Sequence, residues 1–220
     1  MAVKRLRDRQ AEATRALLVS VARQLFTERG YAGTSVEDII EAAGVARGAL
    51  YHHFAGKDAL FAAVYQAVQA DVAAAVVAAA LAASDPAEGV QAGLAAFLDA
   101  CLEAEFRRIV ILDSVPVLQH RVWEGGREHP ELVMLRQVLA PLVEVYLPGL
   151  GVDALAHVAL GGLYGAALYI ARSPEPRAAR AEADVVLDTL ISGLRSGLGT
   201  ASPPAADRSG IDKRRSPGHT

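Results

Sequence analysis

The 220 residues suffice for one large domain, or for a small domain joined to a medium one. Hydrophobic residues make up 52% and aromatics only 5%; alanine and leucine supply most of this apolar content and favour helix. Apolar runs at period two are scarce, which argues against sheet folds and for an all-α chain. The net charge of −3 is unevenly spread. Residues 1–57 hold nine Lys/Arg against six Asp/Glu, residues 58–198 hold nine against seventeen, and residues 199–220 hold four against two. A basic end on an acidic body suits contact with a polyanion through that end. The single cysteine, Cys101, excludes an internal disulfide and lacks the partners of a structural zinc site, which fits a reducing cytoplasm. The opening MAVKRLRDRQAEATR is charged without an apolar core, so no secretory signal is expected.

The first predicted helix starts at Thr14 as N-cap and runs to Glu28, with Leu17, Leu18, Val21, Ala22, Leu25 and Phe26 on one stripe. Gly30 ends it. In GYAGTSVEDIIEAAGVARGALYHHF, Thr34 begins a capping-box pattern with Glu37 three residues on. Ile39 and Ile40 then give a short helix its apolar side, and Ala43-Gly44 stops it. A third helix is predicted from Ala46 to His53. Two helices of this length joined by a glycine turn match a helix-turn-helix.

Longer helices are predicted from Lys57 to Ala83, from Pro86 to Glu103, from Phe106 to Trp123, from Pro130 to Tyr146, from Asp153 to Ala171 and from Arg177 to Leu198. Ser84 or Asp85 can cap the second of these, and Pro86 suits its first turn. Pro116 and Pro141 should kink or break the helices that contain them. The end, GTASPPAADRSGIDKRRSPGHT, is polar and rich in Pro, Gly and Ser, and is expected to be disordered. The expected division is therefore a helix-turn-helix domain at 1–57, a larger helical domain at 58–198 and a tail at 199–220.

The second helix of a helix-turn-helix enters the major groove. At roughly 100° per residue, Arg47, Gly48, Tyr51 and His52 share one broad face, Leu50 lies opposite, and Ala49 sits at the boundary. A guanidinium can pair with guanine O6 and N7, and glycine permits close approach. The Tyr51 phenol and His52 imidazole can donate to phosphate, and Lys57 adds a cation beyond the helix. The start of the preceding helix at Thr34 and Ser35 suits a phosphate. A metal site on His52-His53 is disfavoured, because adjacent helical residues diverge whereas paired ligands need a spacing near four. No strained turn presents Ser20 or Ser35 as a nucleophile.

The run LFTERGYAGTSVEDIIEAAGVARGALYHHFAGKDAL, residues 25–60, resembles the DNA-binding domain of the tetracycline-repressor (TetR) family through LF…RGY…TS…I…AGV…G.LYHHF..K..L. The resemblance implies a three-helix N-terminal domain, a helical ligand-binding and dimerisation domain, and a homodimer on a palindromic operator. It implies base contacts for Arg47, Gly48 and Ala49, and phosphate contacts for Tyr51, His52, Lys57, Thr34 and Ser35. Where this chain has Ala46 the family often has serine or threonine, so a capping side chain is missing, worth roughly 0.5–2 kcal/mol.

Between Asp153 and Arg172 the 18 residues ALAHVALGGLYGAALYIA carry no formal charge, long enough to raise the question of a membrane span. Glycine, alanine, His157, Tyr164 and Tyr169 fill much of it, and no second span is apparent. A helix buried on most sides, pairing through small residues with 177–198 and with a second copy, is the better reading. By resemblance the body takes a small, mostly hydrophobic ligand, and Phe97, Phe106, Asp113, Gln119, Trp123, Tyr146, His157, Tyr164 and Tyr169 are the candidate contacts. No acid/base pair or cofactor loop speaks for an enzyme, and no cofactor is expected. The expectation is a ligand-responsive repressor; an activator, a membrane-associated helical protein or an enzyme using the helical body are the alternatives.

Overall fold

A computed structural model describes residues 2–114, 117 and 130–197. Every regular element among them is helical: α1 (Ala2–Arg29), α2 (Val36–Ala43), α3 (Arg47–His53), α4 (Lys57–Ala82), α5 (Pro86–Ala100), a π-helical α6 (Phe106–Leu112), α7 (Pro130–Tyr146), α8 (Val152–Arg172) and α9 (Pro176–Gly197). The tail at 199–220, Pro116, Gln119 and Trp123 lie outside the described residues.

Several boundaries differ from the sequence expectation, each for a local reason. Helix α1 begins twelve residues before Thr14, whose hydroxyl donates to the Gln10 carbonyl at 2.9 Å instead of capping. The preceding Ala, Lys, Arg and Glu residues are good helix formers, so nothing stops the helix there. Helix α2 is capped by Ser35 with Asp38 as its reciprocal partner, one residue later than Thr34 with Glu37. Thr34 is buried, and its hydroxyl donates to the carbonyls of Gly30 at 2.9 Å and Leu25 at 3.2 Å. It thereby adds a partner to carbonyls at and just past the last turns of α1.

Helix α5 ends at Ala100 because the following amides of Leu102 and Glu103 bond back only three residues, to Asp99 and Ala100. Asp85 caps it, accepting from the Ala87 and Glu88 amides at 2.8 and 3.2 Å. Pro141 lies inside α7 without ending it. Pro141 and Gln137 four residues earlier are both exposed, so water can satisfy the carbonyl that loses its partner. Leu132, Leu135, Leu139 and Leu142 keep α7 buried on its other side.

One core runs from Leu18, Phe26, Ile39 and Leu50 through Phe61, Val64 and Val68 to Leu98, Ile109 and Ile170. It joins the first three helices to the body through α4. Phe26, Tyr31 and Phe61 meet there with ring centroids 5.0–5.9 Å apart, and each such aromatic pair adds about 0.5–1.5 kcal/mol beyond area burial. A second core, with Val90, Leu135, Leu139, Leu142, Leu147 and Ala156, closes the far end between α5, α7 and α8.

Helix α8 is not buried on most sides within one chain: Ala156, Ala167 and Ile170 are its buried residues, while Val158 and Tyr169 are 75% and 52% exposed. It is also not alone in length and apolarity. Helix α4 is likewise long and apolar enough to cross a membrane, but Leu60, Phe61, Val64, Val68 and Val76 on it pack into the protein.

Candidate nucleic-acid interface

The turn between α2 and α3 is Gly44-Val45-Ala46. Gly44 takes the left-handed conformation, φ +63°, and its amide donates to the Glu41 carbonyl at 3.1 Å. A side chain at this φ is disfavoured, which explains glycine there. Ala46 is the N-cap of α3 and gives no side-chain hydrogen bond. Across α3, Leu50 and Phe54 are buried and His53 is half-buried, whereas Arg47, Gly48, Tyr51 and His52 are exposed. Ala49 lies at the boundary, partly covered. A Cβ placed on Gly48 would meet nothing within 4 Å, so the backbone there stands open. The rings of His52 and His53 touch edge to face with centroids 5.0 Å apart.

Arg47 is paired rather than free. Its Nη2 lies 2.9 Å from Oε1 of Glu37 on α2, and its Cζ is 5.8 Å from the Tyr51 ring centroid. Tyr51 first, then Glu37, raises the guanidinium above its ordinary pKa. Ser35 is exposed at the start of α2. Its hydroxyl and amide both engage Asp38, at 2.7 and 2.8 Å, and the Ser35 hydroxyl first, then the amide, lowers the Asp38 carboxyl.

Lys57 sits differently from Arg47. Its ammonium donates to the carbonyls of Tyr31 at 2.9 Å and Thr34 at 3.0 Å, and lies 3.9 Å from the Tyr31 ring centroid. It ties the start of α4 to the loop before α2. Thr34, buried behind Ser35, presents no hydroxyl to the surface.

Two contacts that the sequence did not reveal fasten this head to the body. Arg23 on α1 grips Glu105 with two bonds of 2.6 Å and also reaches Asp71 on α4 at 2.7 Å. Asp113, just after α6, accepts the Tyr31 amide at 2.8 Å and the Arg108 Nε at 3.2 Å. These partners lie 82 residues apart for Arg23–Glu105 and Tyr31–Asp113, a separation that no local pattern signals.

Among the described residues, the candidate ligand contacts do not gather into one site. Phe106 is in the core, edge-to-face with Phe97 at 6.1 Å, and Asp113 serves the junction just described. Tyr146 donates to Asp85, and Tyr169 donates to Glu182. His157 is exposed, its Nδ1 2.7 Å from the Asp153 carbonyl, and Tyr164 is 38% exposed. An open cleft of about 930 Å³ lies instead between Asp99, Glu103, Arg107, Glu175 and Arg177, and none of these candidates lines it.

A family model described as bacterial regulatory proteins, tetR family, matches residues 18–64. A second, described as tetracyclin repressor-like, C-terminal domain, matches residues 87–194. The crystal structure of a TetR-family transcriptional regulator from Pectobacterium atrosepticum is 34% identical, covers 84% of this chain and 96% of its own, and superposes with a TM-score of 0.74. The chain belongs to the TetR family of transcriptional regulators. Curated relatives match over short stretches of the chain. The transcriptional regulator AcrR of Shigella flexneri is 42% identical over 57 residues, which is 26% of each chain. TtgR of Pseudomonas putida is 44% identical over 62 residues, 28% of this chain and 29% of its own. The chain thus matches little more than a quarter of these curated relatives' length. The first of the two family models spans α2 and α3, and the second runs from α5 to α9.

Proposed function

We propose that this TetR-family member is a ligand-responsive repressor that binds a palindromic operator as a homodimer in the cytoplasm. The observation that carries the DNA contact is the exposed face of α3, where Arg47, Gly48, Tyr51 and His52 stand clear of a helix whose other side is core. Arg47, Gly48 and Ala49 at the start of α3 suit base edges in the major groove. Tyr51, His52 and the exposed Ser35 suit flanking phosphates. Lys57 supports the same surface from behind, with one of its three ammonium donors left for a phosphate beside the two carbonyl bonds.

Dimerisation is supported by the outer faces of α8 and α9, where Val158, Tyr169, Val185, Val186 and Leu190 are each more than half exposed. Gly161, Gly162 and Gly165 lie along α8 with open space at every Cβ, so a partner helix can approach closely. The ligand is a small, mostly hydrophobic molecule held by the helical body. Its effect would reach the head through α6, because Glu105 and Asp113 flank that helix and both grip the head. Release follows only if the ligand binds the DNA-incompetent arrangement more tightly.

Selection of bound genomic fragments by the purified full chain tests this reading. The expected result is a short inverted repeat with half-site centres about 34–36 Å apart. Arg47→Ala should weaken the selected operator by about 1–3 kcal/mol and relax one base pair in each half-site. Enrichment of no sequence, or unchanged specific affinity in the variant, would count against the assigned face.

A further inference from the structure

The guanidinium of Arg47 has a carboxylate beside it at the front of the head. The first turn of α2 holds two acids, Glu37 and Asp38. Asp38 is taken up by the amide and hydroxyl of Ser35, while Glu37 reaches across to Arg47 at 2.9 Å with both side chains 64% exposed. The Tyr51 ring centroid also lies 5.8 Å from the guanidinium carbon. Arg47 is therefore held between α2 and α3.

We infer that Glu37 is a specificity-determining residue: it positions Arg47 and penalises duplex that offers the pair no matching base edge. The inference rests on the α3 face meeting the major groove. An unpaired arginine would settle on any phosphate, and phosphates are present in every sequence. Glu37 competes for that guanidinium and carries a negative charge into the negative potential of the duplex. An exposed ion pair is weak enough to open, and guanine O6 and N7 offer the bidentate exchange that replaces it. The freed carboxylate is then an acceptor for the N4 amino group of cytosine. A G·C pair thus presents both the acceptors that Arg47 needs and the donor that Glu37 needs. Random duplex offers this match only by chance; otherwise Arg47 either stays on Glu37 or moves to a phosphate and strands an uncompensated carboxylate.

The test compares wild type, Glu37→Gln and Glu37→Asp for affinity to random-sequence duplex and to the best fragment selected by wild type, each across a salt series. Glu37→Gln should bind random duplex roughly threefold to tenfold more tightly, with the slope of log affinity against log salt steeper by about one. The ratio of selected to random affinity should fall. Glu37→Asp keeps the charge and should return the random-duplex affinity and slope towards wild type. A role confined to the stability of α2 would lower both affinities together in Glu37→Gln and leave the slope alone. That result, or no change, overturns the inference while leaving the DNA-binding face intact. Wild-type protein with no salt-dependent affinity for any duplex would instead overturn the face itself, and the inference with it.

Discussion

Leu50 and Tyr51 are neighbours in sequence with opposite environments: Leu50 is fully buried and Tyr51 is 48% exposed. That division was legible in ARGALYHHF, because helical geometry sorts side chains by angle and burial follows polarity. Lys57 was not legible in the same way. A lysine just beyond a recognition helix reads as a surface cation, yet its ammonium caps carbonyls that end up beside it only after α1 and α4 pack. Lys57→Ala should lower stability by about 1.5–3 kcal/mol in denaturant titration, the loss expected for hydrogen bonds from a charged donor. It should also reduce the salt slope of DNA binding by about one unit if the remaining donor meets a phosphate. A stability loss with an unchanged slope would confine Lys57 to holding the head together. Buried Cys101 ties stability to alkaline pH. Burial pushes its thiol up to about 12 from an ordinary value of 9.0, so the folded chain keeps a proton that the unfolded chain releases. This contribution to stability is complete below about pH 9 and is lost as pH rises towards 12. Native protein at pH 8 should resist thiol labelling until denaturant unfolds it; rapid labelling without denaturant would contradict the burial.

At the scale of elements, helix existence and type were written in apolar periodicity, while the ends depended on which nearby group took each backbone hydrogen bond. The pattern T-S-V-E-D offers two overlapping capping boxes, and the sequence does not rank them. Packing does, because Thr34 is drawn inward to the carbonyls of Leu25 and Gly30, leaving Ser35 and Asp38 to cap. The π-helical turn of α6 was likewise invisible, since FRRIVIL reads as ordinary helix. Such turns are often placed where function needs a local change of register. Gly30 lies where the end of α1 meets Arg108 of α6. It ends α1 at φ +73°, and a Cβ there would lie within 2 Å of an Arg108 guanidinium nitrogen. Gly30→Ala should therefore cost about 1–2 kcal/mol from backbone conformation, plus the displacement of Arg108. Adding Arg108→Ala should recover the second part only, and denaturant titrations of the two single variants and the double variant would reveal the coupling. Purely additive losses would mean that Arg108 does not press on Gly30.

At the scale of the whole molecule, the uncharged stretch in α8 posed a choice between lipid and protein that composition could not resolve, because both environments accept the same residues. The structure sharpens the choice by showing where the apolar surface lies. The inner side of α9 carries Ala179 and Ala183 into the core, while Val185, Val186 and Leu190 remain outside. Close by in sequence, Asp184 binds Arg180, and Asp188 and Thr189 interleave with the exposed apolar residues. Charges at this spacing are costly in a bilayer core and ordinary at the rim of a protein interface. On α8, the glycines leave a shallow track that a second helix can enter and that lipid chains would fill less well. The expected state is therefore a detergent-free dimer, read as twice the chain mass by light scattering. Val186→Asp with Leu190→Asp places two carboxylates on the outer face without touching the inner one. It should shift that mass to one chain, preserve helical circular dichroism, and weaken operator binding because a single chain engages only one half-site. A double variant that stays dimeric would move the interface off α9, and wild-type protein recovered only with membranes would favour lipid over a second copy.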